Sequence, residues 1–193
     1  MNQCHSYFGY VKERRGRRRK GSGLECDSKK YAVLARELGA EDAIVISVQD
    51  IVFDPRTYLK CMYGCSTWGK SWICPSAPGA LKPWEAMDVL SRYKKALIIH
   101  THDKDSSQRI SFAIESKAFV DGYYFAFSMS DCGLCQECSF PDGEPCRFPK
   151  KARPAMQAMG IDVFDTARGQ GLPIETLADE SQRENWYSLV MLE

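Results

Sequence analysis

Seven cysteines in two groups carry the chemistry this chain is equipped for. The tighter group is Cys132, Cys135 and Cys138 at C-x2-C-x2-C spacing, with Cys146-Arg147-Phe148-Pro149 following after seven intervening residues. Thiolates spaced this way can wrap one face of an iron–sulfur cubane, because the short loops turn successive sulfurs inward. Ferredoxin-type runs bring the fourth cysteine sooner and follow it directly with proline. Here a Pro141-Asp142-Gly143 turn delays it, so Cys146 can return to the same cluster or reach a second one. Zinc is the runner-up, since it generally takes two separated C-x2-C pairs and not a triple run. Free or catalytic thiols come third.

The other group is Lys60-Cys61, Cys65 and Cys74-Pro75, in a stretch rich in Gly, Ser and Trp that reads as a loop. Three thiolates are one short of a closed four-cysteine site. A cubane held this way leaves one iron open, unless Cys146, Cys26 or a histidine completes it. Trp68, Trp72, Phe140 and Phe148 can exclude water from such sites or simply pack beneath the loops. Lys60, Lys70, Arg147, Lys150, Lys151 and Arg153 can offset an anionic cluster or dock an acidic electron partner, though solvated charge is their default role. His100, His102, Asp103, Glu115 and Lys70 are the polar candidates close to expected strand ends.

The elements that must position these residues follow from periodicity. Asp27 or Ser28 can cap a helix carrying Tyr31, Leu34, Ala35 and Leu38 on one face, stopped at Gly39. Ala43–Val48 reads as a strand, continuing through Ile51 to Phe53. Pro83 opens a helix with Trp84, Met87 and Leu90 inward. Ala96–Ile99 is a buried strand. A helix with Ile110, Ala113, Ile114 and Ala118 on one face ends at Asp121-Gly122. Tyr123–Met129 is a strand running into the second cysteine group. Pro154 opens a helix that stops at Gly160, Ile161–Phe164 is a short strand, and Trp186–Leu192 is the last. The expected fold class is α/β: a single layered domain of alternating helices and strands, with two cysteine-rich metal loops at strand ends.

At 193 residues and 44% hydrophobic composition, the chain can bury a core without covalent staples. No apolar run is long enough to span a bilayer, and no secretory signal is evident. The expected setting is therefore the reducing cytoplasm, where clustered cysteines bind metal or do redox chemistry more often than they pair. A net charge of +1 gives no global field for nucleic acid. The exception is the run Arg14, Arg15, Arg17, Arg18, Arg19 and Lys20, read here as part of a basic, disordered leader over residues 1–27. Cys4 and His5 fall in that leader and are not counted as ligands. The metal-binding domain is then 28–193.

These residues resemble a bacterial and archaeal family of predicted metal-binding proteins of unknown function. The resemblance lies in Lys60-Cys61-x3-Cys65-x3-Gly69-Lys70-x3-Cys74-Pro75 and in Cys132-x2-Cys135-x2-Cys138-x7-Cys146-Arg147-x-Pro149. It extends to Ala152-Arg153-Pro154-x-Met156-x2-Met159-Gly160-Ile161-Asp162-Val163 and to the helix around Glu115, covering roughly residues 28–193. Trp68 stands where tyrosine is expected and Ser76 where a second proline is expected, and neither removes a ligand. The resemblance implies metal or iron–sulfur binding and names no reaction. Three functions remain open. One is a redox or electron-transfer protein with one or two [4Fe-4S] clusters and a redox partner protein. Another is an enzyme using an open iron at Cys61/Cys65/Cys74. The third is a zinc-stabilised interaction module.

Overall fold

The computed structural model describes residues 23–179 and 181–193, with side chains from Ser28 onward. The Arg14–Lys20 run, Cys4, His5 and the side chain of Cys26 lie outside the described residues. Four antiparallel strands form one sheet in the order β1-β2-β4-β3. They are β1 (Asp42–Ser47), β2 (Lys95–Thr101), β3 (Phe127–Met129) and β4 (Trp186–Leu192). The five α-helices among the described residues are α1 (Gly23–Glu37), α2 (Thr57–Gly64), α3 (Pro83–Leu90), α4 (Lys104–Val120) and α5 (Val163–Gly169).

The two central strands, β2 and β4, are buried almost end to end because helices cover both sheet faces. Side chains alternate between those faces along each strand. Ile98, Leu189 and Met191 enter one core with Ala86 and Leu90 of α3 and Ala167 of α5. Leu97, Ile99 and Val190 enter the other with Tyr31 and Ala35 of α1 and Ile110 and Ile114 of α4. The result is the layered α/β arrangement expected, built on a wholly antiparallel sheet.

Several elements differ from the periodicity reading, each for a local reason. α1 starts at Gly23, so Asp27 and Ser28 sit within the helix and do not cap it. β1 ends at Ser47, whose side chain caps a 3-10 turn at Val48–Asp50, and Phe53 makes a single bridge with Ile161. Cys61 is not in a loop but on α2. In α3 the buried stripe is Pro83, Ala86 and Leu90, while Trp84 and Met87 are exposed. Tyr123–Ala126 is a turn closing on the end of α4, so only Phe127–Met129 joins the sheet. Pro154–Gly160 yields one 3-10 turn at Gln157–Met159. Ile161–Phe164 is no strand, because Asp162 accepts from Asp165 N at 3.0 Å and caps α5 there.

A partly buried ion pair joins α4 to the segment on either side of the second cysteine group. Glu115 of α4 accepts from Ser128 N at 2.7 Å, from Ser128 Oγ at 2.6 Å and from Arg153 Nε at 2.8 Å. Arg153 Nη2 meets the other carboxylate oxygen, and the guanidinium lies over Phe112 and Phe127. Burial pushes the Glu115 carboxyl up, but the bonds from Arg153 and Ser128 outweigh it and leave the carboxyl below its ordinary value. Its stabilisation is therefore complete above the unfolded value of about 4.3 and fades as pH falls through the lower folded value. Arg153→Met, which strands this carboxylate, should cost less than the roughly 3–5 kcal/mol of a fully buried pair at neutral pH. Glu115→Gln should flatten part of the acid-side loss of stability. Urea unfolding at neutral and acidic pH, with metal content held equal, checks both.

Candidate metal centre

The second cysteine group begins at Cys132, three residues after the short strand β3 ends at Met129, and is gathered by its own loops. Gly133 N donates to Gln108 Oε1 of α4 at 2.8 Å. A Cβ at residue 133 would stand 2.8 Å from Asp105 Oδ1 and 3.0 Å from Lys104 Cε, so a larger residue here would have to push those two side-chain ends aside. Beyond Cys138, residues 139–145 fold back on themselves. Glu144 N bonds Ser139 O at 3.2 Å, Ser139 Oγ donates to Pro145 O at 2.8 Å, and Gly143 takes the positive φ of 72° that the turn requires. That turn returns Cys146 to the others. Cys132, Cys135, Cys138 and Cys146 all line one cavity of about 40 Å³, walled by Trp72 and Phe148. This volume suits a small inorganic group, whereas organic ligands generally need several hundred Å³.

The first group contributes to this wall. Ser71 and Trp72, between Cys65 and Cys74, line the same cavity. Burial works against a Cys138 thiolate, but the backbone N–H groups of Phe140 and Trp72, the Ser71 hydroxyl and the charge of Arg147 outweigh it. The Cys138 thiol is accordingly held below its ordinary value. The Trp72 ring packs edge-on against Phe140 at 4.8 Å and donates from Nε1 to Glu144 O at 2.9 Å. It therefore pins the return loop as well as the wall.

Cys61, Cys65 and Cys74 form a second neighbourhood, in which Cys65 is exposed and Cys74 buried. Ser76 Oγ donates to Cys74 Sγ at 2.9 Å, and Cys65 Sγ lies 3.1 Å from Thr67 Oγ1. Burial pushes the Cys61 thiol up to about 11, reinforced by the charges of Cys65, Cys74 and Asp131. A cation binding here relieves that repulsion and displaces the proton. All seven cysteines are free thiols. Among the described residues, no three His, Cys, Asp or Glu side chains already converge on a point that could hold a single metal ion.

The other polar candidates have local partners. His100 is buried, stacked on Tyr187, with Nε2 2.8 Å from Asn185 Oδ1. His102 Nδ1 lies 2.9 Å from Glu184 O. Asp103 caps α4 through Ser106 N at 2.7 Å, and Lys70 Nζ reaches Ser66 O at 3.2 Å. Trp68 packs edge-on against Tyr58 at 5.3 Å. The residues that spacing did not reveal are Ser71, as a donor to Cys138, and Asp131, whose charge adds to the burial that raises the Cys61 thiol. Asp131 adjoins Cys132 and Ser71 stands three residues before Cys74, but each effect depends on how the chain folds between the two groups.

The profile of a family described as predicted metal-binding protein (DUF2284) matches residues 44–192. The chain belongs to this family. The matched span holds all seven cysteines of the two groups and leaves out α1. Neither a curated protein nor a solved structure matches the chain. Membership in DUF2284 supports a metal cofactor without naming the metal. No helix among the described residues is long and apolar enough to cross a membrane.

Cys138→Ala and Cys146→Ala should each lower the metal bound per chain. His102→Ala should leave it unchanged. Elemental analysis after anaerobic purification, scored against protein concentration, checks the contrast.

Proposed function

We propose that this member of DUF2284 is an iron–sulfur protein with a redox or electron-transfer role. The observation that carries this reading is the single small cavity lined by Cys132, Cys135, Cys138 and Cys146. A C-x2-C-x2-C run with a late fourth cysteine suits a [4Fe-4S] cubane, and Cys61, Cys65 and Cys74 would hold a second cluster. When bound, such clusters accept and release single electrons at potentials set by hydrogen bonds to sulfur and by exposure.

The chain's own groups are suited to that setting. The amides of Trp72 and Phe140 and the Ser71 hydroxyl donate to the Cys138 sulfur, stabilising its thiolate. Trp72 and Phe148 limit water at the cavity wall. Because Trp72 serves the second group and stands two residues before Cys74, the two sites would be close neighbours. Arg147, Lys150 and Lys151 are exposed beside Cys146 and would favour an acidic redox partner in a reducing, cytoplasmic setting. A second reading rests on the donor count of the first group. Three cysteines leave one iron of a cubane without a thiolate, which favours a site for Lewis-acid chemistry.

Anaerobic purification followed by iron, sulfide and zinc assays tests the proposal. Two cubanes predict about eight irons and about eight acid-labile sulfides per chain, and one predicts about four of each. Stoichiometric zinc without sulfide would sink the iron–sulfur reading.

A further inference from the structure

We propose that the large apolar cavity between the two cysteine groups is a small-molecule site, shaped for an uncharged ring compound bound against Cys146. The inference goes beyond the iron–sulfur reading and holds whichever metal the cysteines carry.

The cavity measures about 570 Å³ and shares a wall with the small cysteine-lined cavity, since Trp72, Ile73, Cys146 and Ala152 line both. Phe127 of β3 and the turn residues Ala158 and Met159 complete it on the core side. The small cavity, at about 40 Å³, has room only for an inorganic group. Its larger neighbour falls within the range of about 300–1,000 Å³ in which proteins hold organic ligands. A molecule seated there would touch Cys146 and, with it, the wall of the candidate metal centre.

The walls are set before any ligand arrives. Pro75, Pro145, Pro149 and Pro154 have fixed rings, and Ala80, Ala152 and Ala158 have no rotamers to lose. Hydrogen bonds hold these segments in place. Pro75 O accepts from Lys82 Nζ at 2.7 Å, Pro145 O from Ser139 Oγ at 2.8 Å, and Pro154 O from Ser130 N at 2.9 Å. Little ordering therefore opposes binding.

The lining selects the ligand. Among the described residues, no charged side chain lines the cavity. Lys82 and Arg153, next to lining residues in sequence, are held by Pro75 O and by Glu115. An ionised group inside would lose its hydration with nothing to replace it. A peptide segment would bring backbone N–H and C=O groups that this wall cannot satisfy. The Trp72 indole N–H already donates to Glu144 O, so the wall offers few polar partners even to water. Trp72 and Phe127 add aromatic surfaces, with which rings pair well. A neutral, ring-based molecule meets all of these conditions.

The test is isothermal titration calorimetry of the full-length, anaerobically purified protein with two probes. 2-Naphthol is neutral at pH 7, and 2-naphthoate has the same rings with a carboxylate. 2-Naphthol should bind at one molecule per chain with a negative heat-capacity change, the mark of apolar burial. 2-Naphthoate should bind about tenfold more weakly. Ala80→Phe, which puts a ring into the cavity, should weaken 2-naphthol by about tenfold. Leu81→Lys, at a lining position 43% exposed, should bring the two probes close to parity by supplying a countercharge. Phe125→Ser, which removes an 82% exposed ring that does not line the cavity, should change neither affinity. Thermal melts and metal content establish that each variant has folded and loaded as the parent does. Several molecules bound per chain, or equal losses in Ala80→Phe and Phe125→Ser, mean adventitious association and overturn the proposal. Absence of binding overturns it too, and a dimer in light scattering that Ala80→Phe dissociates would instead assign the cavity to a second copy of the chain.

Discussion

Four donors converge on the Glu115 carboxylate, and the candidate metal sites depend on what they hold together. Two come from Ser128 in β3, before the second cysteine group, and two from Arg153, after it. The segment from Met129 to Ala152 is thereby pinched at its base onto α4, with Ser130 N to Pro154 O at 2.9 Å as a parallel strap. A cysteine loop tethered at one end would sample many sulfur arrangements. Tethered at both, it loses much of that freedom before any cation arrives, so less ordering entropy opposes binding. The pair itself is partly buried, with side chains 15% and 12% exposed. It holds because hydrogen bonds satisfy the carboxylate and two aromatic rings flank the guanidinium.

The same clamp links the two cysteine groups. Once the second loop is fixed, Cys138 lies within reach of Ser71 and Trp72, which belong to the first. Trp72 then fastens the return loop through Glu144 and Phe140. The groups thus form one interlocked unit: the chain between Cys65 and Cys74 supplies part of the wall for Cys132–Cys146. Losing Trp72 would loosen both the cavity wall and the turn that returns Cys146.

How much of this was legible in the sequence follows from the range of each interaction. β2, β4 and α4 were readable because apolar runs and one-face periodicity are local signals that burial reinforces. The cysteine groups were readable because their spacing is short. α2 was obscured because it is only eight residues long and none of them is buried, so its cysteine stretch reads as loop. Tyr123–Ala126 has the aromatic content of a strand, but the end of α4 claims its backbone hydrogen bonds. Glu115 and Arg153 were singled out separately, one as a polar candidate and the other as a cation near the clusters. Their pairing spans a sequence separation that no local pattern encodes.

The two groups differ most in how their negative charge is compensated. Around Cys138, amide hydrogens, a hydroxyl and Arg147 favour the thiolate before any metal is present. Around Cys61, the named charges are Cys65, Cys74 and Asp131, and each opposes ionisation. A thiolate supported by fixed dipoles is organised by the fold, whereas a set of mutually repelling acids is organised by the cation that neutralises them. The second group therefore has the character of a preformed site and the first that of a site completed on loading. Trp72 and Ser71, held against Cys138, fix the chain leading into Cys74. Order at the second site thus reaches the first through the backbone, and metal binding at the two should be coupled, each site raising the other's affinity by the same factor.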